Sequence, residues 1–147
     1  MDTQYVIRDY RPNDYRGVLT LWQATGLGGA HRGDNDQVIA NSLDMGGKML
    51  VIEDTNSQNL VGTSWMTFDG RRIHLHHFGI KPELQRTGLG KKLARASLAF
   101  AKFKGYQIKL EVHRDNTNAI ALYTKLGFTY LGDYDVYIIR NYEGLEI

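Results

Sequence analysis

The strongest constraint on this chain lies between Arg71 and Phe103, where "RRIHLHHFGI" alternates with a period of two and "LGKKLARASLAFAKF" repeats with a helical period. Strand alternation sends successive side chains to opposite faces, whereas a helix groups residues three and four apart. The first run therefore predicts a strand. The second predicts an amphipathic helix with Leu89, Leu93, Ala96, Phe100 and Phe103 on one face and Lys91, Lys92, Arg95 and Lys102 elsewhere. This helix should end near Gly105, and "QIKLEVH" predicts the strand that follows. Strand, crossover helix and strand make a parallel pair. Between the first strand and the helix stands "KPELQRTGLG", with Gly88 and Gly90 at the helix head. A helix N-terminus offers free N–H groups and the positive end of the dipole, so a glycine turn there suggests an anion, first of all a phosphate.

The remaining segments supply the partners for this unit. "QYVIRDY" predicts a first strand, and a helix follows from a cap at Asn13 or Asp14 as far as Thr25. "NDQVIANSLDM" predicts a short second helix placing Val38, Ile39 and Leu43 near one face. "KMLVIED" and "LVGTSWMTFD" read as strands, with Asp69-Gly70 as a hairpin turn into the histidine-rich strand. Further on, "NTNAIALYTKLG" predicts a helix capped by Asn116 and stopped by Gly127, and "FTYLGDYDVYIIRNY" predicts two closing strands. The expected order is β-α-α-β-β-β-α-β-α-β-β, an α/β (α+β) fold with a mixed sheet in which residues 1–147 form a single domain.

Composition removes several function classes. The chain has no cysteine, so acyl transfer through an acyl-cysteine is excluded, as are disulfides and Cys-based zinc sites. A formal charge of +2 does not argue for nucleic-acid binding. No apolar run approaches the roughly 18 residues of a membrane helix. "MDTQYVIRDY" has no basic region followed by an apolar one, so a cytoplasmic location is expected.

Two common phosphate loops fail on spacing. A Walker A loop would need glycine at Gln85 and a hydroxyl residue at Lys92, and the dinucleotide fingerprint would need glycine at Leu93 after the first strand of the chain. The pattern that fits is Q-x-x-G-x-G, read as Gln85-Arg86-Thr87-Gly88-Leu89-Gly90, with "NTNAIALYTKLGF" downstream. Together the segments Arg72–Ala94 and Gln107–Phe128 resemble the GCN5-related N-acetyltransferase (GNAT) family, and the element order extends the resemblance over nearly the whole chain. The resemblance implies the GNAT fold, a central mixed sheet splayed between its fourth and fifth strands, and acetyl-CoA as cosubstrate. It assigns Gln85, Arg86, Thr87, Gly88, Leu89 and Gly90 to the pyrophosphate. It gives the backbone of Phe78, Gly79 and Ile80 to pantetheine, and the side chains of Asn116 and Tyr123 to the cofactor. Lys91 and Lys92 read either as charge near the 3′-phosphate or as solvated lysines, and a plain helix cap is the alternative role for Asn116.

The implied reaction is direct acetyl transfer to a primary amine of a small molecule, peptide or protein. It needs a neutral amine and a protonated leaving group. The resemblance gives Tyr123 the role of acid at the thioester sulfur, against a core-packing role beside Ile120 and Leu126. For the base, family members often carry a glutamate on the fourth strand, and none lies between Arg71 and Pro82. Instead His74 and His76 share one face while His77 should point to the other. A His-x-His pair at this place is similar to the arylalkylamine N-acetyltransferases, where two histidines help deprotonate the acceptor. Glu111 is the second candidate base. His74 and His76 as metal ligands would need His31 or His113 as a third, so no metal is expected. Trp22, Arg32, Asp34 and Asp36 are the candidate acceptor-side residues. The expected partners are acetyl-CoA and an amine, with no nucleic acid or membrane, and a homodimer is left open. The alternative is an acyl-CoA-binding sensor module without catalysis.

Overall fold

The computed structural model describes residues 3–27 and 33–146. Its elements are β1 (Tyr5–Asp9), α1 (Tyr15–Thr25), α2 (Asp36–Asp44), β2 (Lys48–Asp54), β3 (Leu60–Phe68), β4 (Arg72–Ile80), α3 (Leu89–Lys104), β5 (Gln107–Leu110) and α4 (Thr117–Lys125), with single 3-10 turns at Pro12–Asp14 and Pro82–Leu84. The chain divides into two compact units, Met1–His113 and Arg114–Ile147.

The first unit is a five-stranded mixed sheet whose spatial order, β1-β2-β3-β4-β5, is also its order in the sequence. The first four strands are antiparallel neighbours. α3 carries the chain back across the sheet, so β5 joins β4 in parallel. Adjacent residues of β3 show how the two faces are covered. Thr63 and Trp65 take hydrogen bonds to Trp22 of α1 and Ser42 of α2, at 2.9 and 2.8 Å. Ser64, between them, bonds Ser97 of α3 at 2.7 Å. Because side chains alternate along a strand, α1 and α2 cover one face and α3 covers the other. Under α1 and α2 lie Tyr10, Val18, Trp22, Ile39, Met49, Val51, Leu60 and Trp65.

Some local details differ from expectation. Asp14 occupies the N-cap position of α1 but makes no cap bond, because its carboxylate accepts hydrogen bonds from Nη1 and Nη2 of Arg8 at 2.8 and 2.9 Å and from the Arg11 N–H at 2.8 Å. Asn35 caps α2, accepting the Val38 N–H at 2.9 Å, and Val38 itself is exposed. The buried stripe of α3 is Leu89, Leu93, Ala94, Ser97 and Ala101, whereas Phe103 is 91% exposed. A polar residue, Ser97, occupies the middle of that stripe because Ser64 faces it, a pairing that hydrophobic periodicity does not reveal.

In the second unit, α4 ends in a Schellman motif. The Phe128 N–H reaches the Tyr123 carbonyl at 3.0 Å, the Gly127 N–H reaches Thr124 at 3.2 Å, and Gly127 has φ +105. The rings of Tyr123 and Phe128 meet edge-on at 5.6 Å, the apolar contact that accompanies this motif. The two closing strands expected over 128–142 are not formed. Gly132 and Asp133 both have positive φ, +62 and +57, and the chain bends at Asp133 without a ladder beside it. Tyr130, Tyr134, Tyr137 and Ile138 stay exposed, and a two-stranded hairpin with no buried face is marginal in water.

Candidate active site

β4 pairs with β5 only from Arg72 to Leu75, opposite Gln107 to Leu110. β4 runs on to Ile80 while β5 stops, so the strands part at His76. This is the splay expected between the fourth and fifth strands. The β4–β5 pairing ends at Leu75, and a strand edge of this kind is where an extended chain can add.

The histidines stand at the point of parting. His74 and His76 share a face, their rings stacked with centroids 6.0 Å apart. His76 Nε2 lies 2.9 Å from Thr67 Oγ1. Its pKa is pushed down to about 4, first by desolvation and then by the neighbouring His77 and His74, with Asp34 opposing. The residue as a whole is exposed, yet its ring is crowded by Trp65 at 6.1 Å and by the two histidines, and water at its open side softens the desolvation. The downward direction stands on both effects.

His77 does not point to the opposite face. The β3–β4 register shifts between Thr63 and Trp65, and His77 takes φ +45, a β-bulge that turns its ring back toward α1 and α2. The ring lies 4.6 Å from Trp22, 5.5 Å from Trp65 and 6.3 Å from His76. Its Nε2 is 2.7 Å from Asp34 Oδ2, with both side chains mostly buried. The Thr63 hydroxyl donates to the His77 carbonyl at 2.8 Å and accepts the Trp22 indole N–H at 2.9 Å. Three imidazoles thus share one face where alternation predicted two. The extra residue of a bulge shows only in the pairing register, which the sequence of β4 alone does not carry.

The glycine turn sits beyond the open end of β4. Arg86 and Gly88 both have positive φ, +66 and +89, and Thr87 Oγ1 closes the loop onto the Leu84 carbonyl at 2.6 Å. α3 starts at Leu89 without a side-chain cap. The first helical acceptor, Gly88 O, is used by Lys92, which leaves the amides of Leu89, Gly90 and Lys91 without acceptors inside the helix. A Cβ built on Gly88 would meet nothing within 4 Å. The space beside the turn is open, and the loop fits an anion such as a pyrophosphate. Farther back, Gly79 lets Leu27 lie over β4, where a Cβ would come within 2.6 Å of its Cδ1.

Of the two candidates on the second unit, Asn116 caps α4, accepting the Ala119 N–H at 3.3 Å. Tyr123 is buried, and burial raises its pKa to about 12. Its phenol therefore keeps its proton.

Other expected residues stand apart. Trp22 is fully buried and belongs to the core, so it cannot line an acceptor groove. Asp36 is in the first turn of α2, accepting the Gln37 N–H. Glu111 is exposed and lies past the end of β5, since that strand stops at Leu110. Arg32 and His31 lie outside the described residues. Among the described residues no group of three His, Asp or Glu side chains is placed to hold a metal ion.

Comparison with known proteins fits this geometry. Residues 15–128 match the acetyltransferase (GNAT) family. The chain belongs to the GNAT family. It is 32% identical over 98 residues to a mycothiol acetyltransferase of Clavibacter sepedonicus, covering 66% of this chain and 32% of that protein. It is 38% identical over 77 residues to the N-alpha-acetyltransferase RimI of Mycobacterium tuberculosis, covering 50% of this chain and 48% of the relative. The chain therefore spans half or less of the length of these GNAT relatives. Among solved structures, a GNAT acetyltransferase of Staphylococcus aureus Mu50 superimposes with a TM-score of 0.77 at 20% identity, over 90% of this chain and 89% of that one, a likeness of fold. No helix of the described residues is long and apolar enough to cross a membrane.

Proposed function

We propose that this chain is an acetyl-CoA-dependent N-acetyltransferase that passes the acetyl group directly to a primary amine of a small molecule or peptide. One observation carries this reading. An uncapped helix head in a glycine turn stands beyond the open backbone edge of β4, so an anion site adjoins a place where an extended ligand arm can add as a strand. In this reading Gln85 to Lys91 hold the pyrophosphate of acetyl-CoA and Phe78 to Ile80 hold its pantetheine arm. Family membership supports it, as do the names of the two relatives, each called an acetyltransferase.

The reaction removes two protons from an acceptor ammonium. The first must leave before attack, since an ammonium has no lone pair, and the strand histidines supply proton acceptors. The second leaves with the collapse of the tetrahedral adduct, as the C–S bond breaks. Tyr123 serves there by donating a hydrogen bond to the departing sulfur. Burial raises the phenol's pKa, so it holds its own proton while donating the hydrogen bond. The sulfur therefore takes its proton from the adduct nitrogen.

The test is release of CoA from acetyl-CoA with an alanyl peptide amide, a lysyl peptide, spermidine, an amino sugar and 2-phenylethylamine, read by thiol detection. The absence of cysteine gives that assay no protein background. Stabilisation by acetyl-CoA with amine-dependent CoA release is expected. Stabilisation without release from any amine would favour the sensor reading, and the absence of both would overturn the proposal.

A further inference from the structure

His77 is a histidine in a conformation that costs energy. A side chain at φ +45 is strained by about 1 kcal/mol or more and persists only where its surroundings hold it. Four contacts do so here: the Thr63 hydroxyl on its carbonyl, the rings of Trp22 and Trp65, and Asp34 on Nε2. Asp34 comes from the α1–α2 connection, forty-three positions away, and spends its carboxylate on this ring. A carboxylate only accepts hydrogen bonds, so at 2.7 Å the imidazole donates from Nε2, and in the neutral ring the lone pair is then on Nδ1. Among the described residues Nδ1 has no hydrogen-bond partner, and the side chain keeps 15% of its surface open.

We propose that His77 is the base of acetyl transfer, with Asp34 as its positioning residue, taking the first proton of the acceptor ammonium on Nδ1. The proposal rests on the acetyl-transfer reading and names its proton acceptor. The N–H bond of the ammonium breaks and an Nδ1–H bond forms. The freed nitrogen lone pair attacks the acetyl carbon, the C–S bond breaks, and the second nitrogen proton goes to sulfur. The products are an amide, CoA as the thiol, and an imidazolium beside Asp34 that returns its proton to solvent. The carboxylate fixes the tautomer and stabilises the positive ring through a direct hydrogen bond, whereas the ring nitrogen of His76 meets the Thr67 hydroxyl instead. His76 also resists protonation, for the reasons given above. The titratable groups around His77, among the described residues, are Asp34 from the connection and His76 and His74 from β4. α1 and β3 present Trp22, Thr63 and Trp65, which carry no charge.

A purely structural role, with the pair pinning the connection to β4, makes different predictions. The ¹⁵N–¹H spectrum of the imidazoles in the full chain should show His77 protonated at Nε2 and bare at Nδ1, and Asp34→Asn should mix the two tautomers. His77→Gln should lower CoA release with the fastest amine of the panel by roughly 10² to 10⁴. Asp34→Asn should lower it less, because the ring then loses the group that fixes its tautomer. Asp34→Glu should partly restore both the rate and the single tautomer. Thermal stabilisation by acetyl-CoA should persist in every variant, which shows that each is folded and separates this proposal from the reading beneath it. Wild-type rates in folded His77→Gln, or an Nδ1–H tautomer in the wild type whatever the rates, would overturn it. If acetyl-CoA does not stabilise the wild type, the acetyl-transfer reading falls and takes the base assignment with it.

Discussion

Thr63→Val is the substitution that most directly tests how the β4 bulge is held. Thr63 is fully buried, and its hydroxyl both accepts the Trp22 indole N–H and donates to the His77 carbonyl. Valine keeps the volume and removes both bonds. Trp22 is itself 0% exposed, so its N–H cannot turn to water. Each stranded group costs about 1–3 kcal/mol, and the apolar gain of the new methyl offsets about 1, giving a net loss of roughly 1–5 kcal/mol. Thr63→Ser is the control, because it keeps the hydroxyl and loses one methyl, for about 1 kcal/mol plus a small cavity term. The assay is urea unfolding followed by the fluorescence of Trp22 and Trp65, with the midpoint falling at an unchanged slope. A valine variant as stable as the serine variant would refute the reasoning, since volume alone ranks the two the other way.

Gly88→Val should fold, at a cost of about 1–2 kcal/mol for a branched residue at φ +89, and should lose the stabilisation by acetyl-CoA that the wild type shows, about 2.7 kcal/mol at a hundredfold excess over Kd; thermal shift checks both. Tyr123→Phe should leave acetyl-CoA binding intact and lower turnover, and an unchanged turnover would return Tyr123 to a packing role beside Phe128. The depressed His76 value fixes a sign for stability. The unfolded chain binds the proton first, so this contribution is complete above the ordinary value of about 6.5 and is lost as pH falls toward about 4. His76→Gln should flatten the fall of the urea midpoint across that window, and an identical slope would show that His76 takes no part.

The sequence was most legible where one residue type settles the backbone. Gly88 at φ +89, Gly105 at φ +86 and Gly127 at φ +105 mark the boundaries of α3 and the end of α4 where glycine was read as punctuation. The strand-helix-strand crossover from β4 to β5 followed from the change of period, and His74 and His76 fell on one face as alternation required. Legibility failed where the outcome depends on a partner across space. Trp22 reads from sequence as a groove residue because an aromatic side chain suits either role, and only Thr63 beneath its N–H places it in the core. Alternation alone sends His77 to the opposite face, because it assumes an unbroken ladder. The Asp34 contact joins residues from separate elements, with nothing local in either segment to announce it. In 128–142, strand-forming residues were visible while a ladder for them was not.

The agreement between spatial and sequential strand order bears on how the sheet is assembled. β2, β3 and β4 follow one another without an intervening helix, so this part of the sheet can grow by two successive hairpins, and local pairing of this kind favours rapid folding, whereas β1 pairs with β2 across the intervening α1 and α2. β5 likewise pairs only after the sixteen residues of α3 have emerged and docked. During synthesis β4 is therefore an unprotected edge for the whole of that interval. With only four residues to its credit, β5 should also be the first strand to open in amide exchange, well before β2 and β3.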